Sequence, residues 1–158
     1  MGTISEAFSA SINLAHICLY QERFSDAIHL YYTALKSNKS DVELLQYLAL
    51  AQFKSKLFED SMISLQRALF IQPTSPVLIY NLSYLRQEFA LSILNKKLKS
   101  VKEIRIALDE LNAAKKAFGS LKHVMATSVD KTRACLKPDL IPALEAFCAV
   151  DYADVSVY

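Results

Sequence analysis

The sequence predicts an all-α fold: a right-handed α-solenoid of about three helix pairs, the third of them lengthened. Three observations predict it. The 158 residues include only 2 Gly and 4 Pro, too few for the many tight turns of a multi-stranded sandwich or barrel. Hydrophobic residues make up 53% of the chain, enough for the core of one domain. The chain also repeats itself with a period of 34 residues.

The repeat is visible when residues 15–39 are aligned with residues 49–73. Small residues recur at fixed helical positions, where two helices would cross closely and only a short side chain fits. Large apolar residues recur around them and would fill the remaining space. A 34-residue period of this kind is typical of the tetratricopeptide repeat (TPR). The identical positions include Leu14 and Leu48, Ala15 and Ala49, Phe24 and Phe58, Ala34 and Ala68, and Leu35 and Leu69.

Apolar spacing and start signals together predict six helices. Ser25, Asp41, Ser75 and Ser100 are suitable N-cap or first-turn residues. The third copy of the motif begins on schedule, but its second-helix pattern is about 12 residues late, which lengthens both helices of that pair. The helices are expected near residues 5–20, 24–37, 41–55, 59–71, 76–97 and 100–122. Weaker helical patterns cover residues 130–136 and a stretch that begins at Asp139 or Pro142 and ends at Val150.

The composition changes near residue 138. Residues 89–137 contain 11 basic and 4 acidic residues, whereas residues 138–158 contain four acidic residues and no basic one. We therefore expect a helical-repeat domain over residues 1–137 and a C-terminal tail over 138–158, with a weak helix followed by irregular chain. The apolar end also suggests a piece of a longer array or a tail of different origin. An array with uncapped ends is expected to self-associate.

Charge and motifs favour a binding protein over an enzyme. The net charge of +2 requires neither nucleic acid nor an anionic membrane as a partner, and no apolar run is long enough to predict a membrane span. Three widely spaced cysteines are typical of free thiols in a reducing compartment. No zinc spacing, glycine-rich phosphate loop or convergent catalytic set is present, so we expect no metal, cofactor or small-molecule substrate.

A basic run marks the connection between the two long helices. The residues concerned are Lys96, Lys97, Lys99, Lys102 and Arg105. No aromatic residue lies between Phe89 and Phe118, so direct nucleic-acid binding is not expected. Two interpretations remain open: a solvated hairpin tip, or a contact with phosphate or an acidic partner.

The first helix of each TPR pair lines a concave groove, which gives the candidate partner-binding residues. Their apolar and aromatic character suits an amphipathic helix or an extended apolar segment of a protein partner. Alternatively, about half of these side chains serve packing instead. The candidates are Ile12, His16, Tyr20, Gln46, Leu50, Phe53, Tyr80 and Tyr84.

Beyond the generic repeat, residues 8–122 resemble one family. The resemblance rests on the runs 13–16, 47–49 and 77–82 and on the lengthened third pair with its basic tip. That family is the TPR scaffold subunit of the RNA polymerase II-associated factor (PAF) complex. The resemblance implies a nuclear, non-enzymatic scaffold that holds other PAF subunits together on RNA polymerase II during elongation and promotes histone modification. Residues 138–158 do not resemble this family.

Two other functions stay open. An unrelated TPR adaptor would bind an apolar helix or peptide of a trafficking or organelle-import partner. A TPR-bearing transferase would carry its catalytic residues outside this chain. The lengthened third pair favours the scaffold.

Overall fold

The computed structural model describes residues 2–127, and the side chains of residues 8–122. Within these residues the chain forms six α-helices and no strand, which confirms the all-α prediction. The weaker helices near 130–136 and 139–150 and the tail 138–158 lie outside the described residues. The helices are α1 (Gly2–Tyr20), α2 (Phe24–Ser37), α3 (Val42–Lys54), α4 (Phe58–Ile71), α5 (Pro76–Leu94) and α6 (Val101–Thr127).

The chain divides into two compact units, the first ending at Pro73 and the second beginning at Thr74. In the first unit, α1 packs against α2, α2 against α3, and α3 against α4. This sequential packing of neighbouring helices is that of a helical repeat. The small residues of the 34-residue repeat lie where the sequence predicts them. Ala15, Ala27, Ala34, Ala49 and Ala68 are all buried.

All four residues that were expected to mark helix starts lie at an N-cap or in a first turn. The N–H of Leu44 donates to the Asp41 carboxylate at 3.1 Å, and α5 begins at Pro76 immediately after its N-cap Ser75. Ser100 precedes α6 and exchanges hydrogen bonds with the helix, as described below. Ser25 lies in the first turn of α2, which begins at Phe24, and the N-cap of this helix is Arg23, which makes no side-chain capping bond.

The second unit is an antiparallel hairpin of α5 and α6. These helices have 19 and 27 residues, compared with 13 and 14 in α3 and α4, so the third pair is lengthened as expected. Ala90 and Ile93 of α5 pack with Ala107 and Leu111 of α6 in one buried cluster. Further along, Arg86 of α5 and Glu110 of α6 form an ion pair at 3.5 Å. No helix among the described residues combines the length and apolarity needed to cross a membrane.

Candidate functional site

The candidate groove residues of the first unit lie on α1 and α3 and differ in exposure. Tyr20, the last residue of α1, is 91% exposed, and Leu50 of α3 is also exposed. The other four are half-buried, so they contribute part of their surface to packing. These four are Ile12, His16, Gln46 and Phe53.

His16 is held by two tyrosines from neighbouring helices. Its Nδ1 atom lies 2.7 Å from the hydroxyl oxygen of Tyr31 on α2. The ring of Tyr47 on α3 meets the imidazole edge-on, with ring centroids 4.4 Å apart, and stacks on Tyr31 at 6.0 Å. Burial, with smaller contributions from Tyr47 and Cys18, raises the pKa of Tyr31 to about 12. This aromatic cluster of His16, Tyr31 and Tyr47 ties α1, α2 and α3 together.

A second polar contact crosses the first unit and was not expected from the sequence. The buried amide of Gln52 on α3 donates from Nε2 to the hydroxyl of Tyr32 at 3.0 Å. Its Oε1 accepts from the hydroxyl of Ser64 on α4 at 2.7 Å. The 34-residue repeat could have predicted the burial of Gln52, because Gln52 occupies the position equivalent to Cys18, which is also buried. Gln52 thereby links α3 to both α2 and α4.

The two groove residues of the second unit form an aromatic ridge on α5. The rings of Tyr80 and Tyr84, one helical turn apart, are nearly parallel with centroids 6.4 Å apart. Tyr80 also packs against Phe118 of α6 at 5.6 Å, whereas Tyr84 is exposed. Burial raises the pKa of Tyr80, and burial followed by the nearby Glu88 raises the pKa of Tyr84. Tyr84 is therefore the solvent-facing member of this pair, and Tyr80 packs between it and α6.

The four lysines of the expected basic contact lie around the turn between α5 and α6, and all are exposed. Lys96 pairs with Glu103 at 2.8 Å, and the ammonium of Lys99 donates to the carbonyl oxygen of Leu94 at 2.7 Å. The remaining two are Lys97 and Lys102.

Within the described residues, no group of three or more His, Cys, Asp or Glu residues could hold a metal ion. Cys18, the cysteine that these residues include, is a buried free thiol. Exposed aromatic, apolar and basic side chains lie on the described helices, among them Tyr20, Leu50 and Lys102.

The sequential helix pairs are those of a helical-repeat protein, and their 34-residue period fits the TPR. No family model matches the chain. RNA polymerase-associated protein CTR9 of Caenorhabditis elegans is 26% identical over 116 residues, which is 72% of this chain. Protein CTR9 homolog of Arabidopsis thaliana is 26% identical over 112 residues, or 70% of this chain. The chain is thus CTR9-like over most of its length, and it spans about 10% of the length of these curated relatives.

Proposed function

We propose that this chain is a non-enzymatic protein-interaction scaffold of a nuclear PAF-type transcription elongation complex. It binds other subunits of that complex and RNA polymerase II, and it takes part in transcription elongation and histone modification. The observation that carries the proposal is the similarity to RNA polymerase-associated CTR9, which covers 72% of a chain built of sequential helix pairs.

The groove residues suggest how such a scaffold holds a partner. Tyr20, Leu50 and Tyr84 are exposed and uncharged, and each sits on a helix anchored by buried contacts. Aromatic and large apolar side chains on a rigid support contribute most of the free energy of many protein interfaces. The partner element that fits is the apolar face of an amphipathic helix or an extended apolar segment of another subunit.

The test is affinity capture of the tagged chain from nuclear and cytosolic extracts, followed by mass spectrometry and by reconstitution with purified PAF-type subunits. Direct binding of a purified subunit supports the proposal. Recovery of trafficking or organelle-import proteins without PAF-type subunits would instead favour an unrelated TPR adaptor and remove the transcription assignment.

The groove is tested separately with Tyr20→Ala combined with Tyr84→Glu. We expect binding of the purified subunit to weaken by about tenfold or more, with helicity unchanged because both side chains are exposed. Phe70→Ala is the matched control, since this ring is 87% exposed on α4, outside the candidate groove. Full binding by the double variant would disprove the groove assignment and leave the proposed membership of the complex standing.

A further inference from the structure

The turn that joins α5 to α6 presents two large apolar side chains to solvent. Leu98 is 91% exposed and Val101 is 76% exposed. They lie three residues apart within residues 95–105, which we call the hairpin tip. Single exposed apolar side chains are common on protein surfaces, but Leu98 and Val101 are both largely exposed within one short stretch of basic residues.

The rim of the hairpin tip is basic. Residues 96–105 contain five basic residues and one acidic residue, a net charge of +4 (5 − 1). Lys96 is compensated by its ion pair with Glu103. Three further cations, Lys97, Lys102 and Arg105, are exposed and form no ion pair with another described residue. The positive charge around Leu98 and Val101 is therefore only partly neutralised by the one acidic residue of this stretch.

The hairpin tip is held in shape by its own polar contacts. The N–H of Ser100 donates to the carboxylate of Glu103 at 2.9 Å, and the N–H of Glu103 donates back to the Ser100 hydroxyl at 3.2 Å. This reciprocal capping box begins α6, while Lys99 covers a carbonyl oxygen at the end of α5. A loop ordered in this way loses little conformational freedom when a partner binds.

We propose that the hairpin tip binds an acidic segment of a partner protein in which Asp or Glu residues flank a large apolar side chain. The carboxylates would pair with Lys97, Lys102 and Arg105, and the apolar side chain would cover Leu98 and Val101. Charge complementarity selects the acidic flanks, and the exposed apolar pair selects the central residue. This surface is additional to the groove and does not depend on the proposed function.

Two other classes of partner fit the hairpin tip less well. Proteins that bind single-stranded nucleic acid place aromatic rings under the bases, and residues 95–105 contain no aromatic residue. A phosphate backbone would also leave Leu98 and Val101 uncovered. Segments that lie in a membrane interface are amphipathic helices with several bulky apolar residues, whereas Leu98 belongs to a turn. An acidic protein segment satisfies both the charge and the apolar pair.

The test uses the full chain and a fluorescein-labelled synthetic peptide in which Leu and Phe are flanked by Asp and Glu. Binding is followed by fluorescence anisotropy. We expect Leu98→Ser to weaken binding about tenfold, and Lys97→Glu with Lys102→Glu to weaken it at least as much. The double charge variant should also reduce the loss of affinity caused by added salt.

Matched control variants carry the same changes elsewhere on the surface. Phe70→Ser removes a similarly exposed apolar side chain from α4, and Lys36→Glu with Lys39→Glu reverses two exposed charges near the end of α2. Both should bind the peptide like the parent chain. Circular dichroism should be the same for all variants, because none of the changed side chains is buried.

Several outcomes would overturn the proposal. They are no measurable peptide binding, equal binding of a peptide whose Leu and Phe are replaced by Ser, and equal loss of binding in the control variants. Tighter binding of a single-stranded RNA oligonucleotide or of phosphatidylserine vesicles, abolished by the same tip variants, would assign the surface to that other partner. None of these results bears on the capture experiment or on the groove variants. Failure of this inference and failure of the proposed function are therefore distinguishable.

Discussion

Glu22 and Lys56 occupy the same place in successive repeats and share an uncommon backbone conformation. They lie 34 residues apart, each in the turn between the two helices of a pair, with φ angles of 61° and 63°. Left-handed φ values suit glycine and are unfavourable for residues with a Cβ atom. The 34-residue repeat therefore includes the backbone conformation of these turns, although the side chains at the two positions differ.

Replacement of these two residues by glycine should have unequal effects. Glu22→Gly should raise the free energy of unfolding by up to about 1 kcal/mol, because it relieves a left-handed strain larger than the entropy that glycine adds to the unfolded chain. Lys56→Gly should gain less. Its ammonium lies 6.0 Å and 5.7 Å from the ring centroids of Phe53 and Phe58, an interaction of about 0.5–1 kcal/mol at an exposed site. Urea unfolding measures both, and a larger gain for Lys56→Gly would contradict this account.

Replacement of two buried serines of α4 by alanine should also change the free energy of unfolding by unequal amounts. Ser64 donates to Gln52 Oε1 at 2.7 Å, so Ser64→Ala should cost about 1–3 kcal/mol by leaving a buried amide oxygen without that donor. Ser61 donates to the Ala49 carbonyl, and its counterpart in the first repeat is Ala27. Ser61→Ala should therefore be nearly neutral. Equal losses in equilibrium unfolding would show that the Gln52 contact adds nothing beyond one ordinary hydrogen bond.

The buried phenol of Tyr31 should make the first unit sensitive to alkali. Its pKa is about 12 in the folded chain against an ordinary value of 10.0. A raised acid pKa means that the neutral form stabilises the fold, so this contribution is complete below pH 10.0 and is lost as the pH rises through about 12.

The measurement is the free energy of unfolding between those two pH values in the parent chain and in Tyr31→Phe, which cannot ionise. The parent should lose more stability over this interval. The variant also loses the contact with His16, so it should be less stable than the parent at neutral pH. Identical slopes for the two chains would show that Tyr31 does not titrate as described.

Helix positions in the first unit could be predicted closely from the sequence because the 34-residue repeat contains each helix of the pair twice. The helix expected at 24–37 and the observed α2 coincide, since apolar spacing and the 34-residue period both define it. The end of α5 was placed too late, at residue 97 instead of Leu94. Lys96 and Lys99 have good helix propensity, but their side chains bind Glu103 and a helix-end carbonyl, and these contacts favour the turn.

The candidate site was less accessible to prediction. Its residues could be assigned to helices, but their exposure depends on how closely neighbouring helices approach, which a spacing pattern does not contain. His16 was expected in the groove, yet its contacts with Tyr31 and Tyr47 come from residues 15 and 31 positions away. Gln52 has the polarity of a surface residue and is buried because partners on α2 and α4 satisfy its amide.

The carboxylate of Glu103 should titrate far below its usual range. Its pKa is about 2 instead of 4.5, chiefly because Lys96 donates to it, with further donors from Ser100. A lowered pKa means that the ionised form stabilises the hairpin tip at pH values above 4.5, and that this stabilisation is lost as the pH falls through about 2. Carbon-13 NMR of the carboxyl group should give that midpoint.

Lys96→Met is the variant that separates the causes of this shift. It removes the largest one and leaves the Ser100 donors, so the midpoint should move toward 4.5 without reaching it. Lys97→Met removes a neighbouring charge that does not contact Glu103 and is the control. A midpoint unchanged in Lys96→Met, or one that moves equally in both variants, would show that the ion pair is absent in solution.

The register of the repeat can be tested by a large side chain at one of its small positions. Ala68 is fully buried on α4 and corresponds to Ala34 of the first repeat. Ala68→Arg places a charged side chain where only a methyl group fits, and the desolvation and overpacking together should unfold the first unit. Gln66→Arg adds the same side chain at an exposed position of the same helix and should remain folded. Circular dichroism and thermal unfolding distinguish the two, and native helicity with an unchanged melting temperature in Ala68→Arg would show that the helix pairs do not cross at this position.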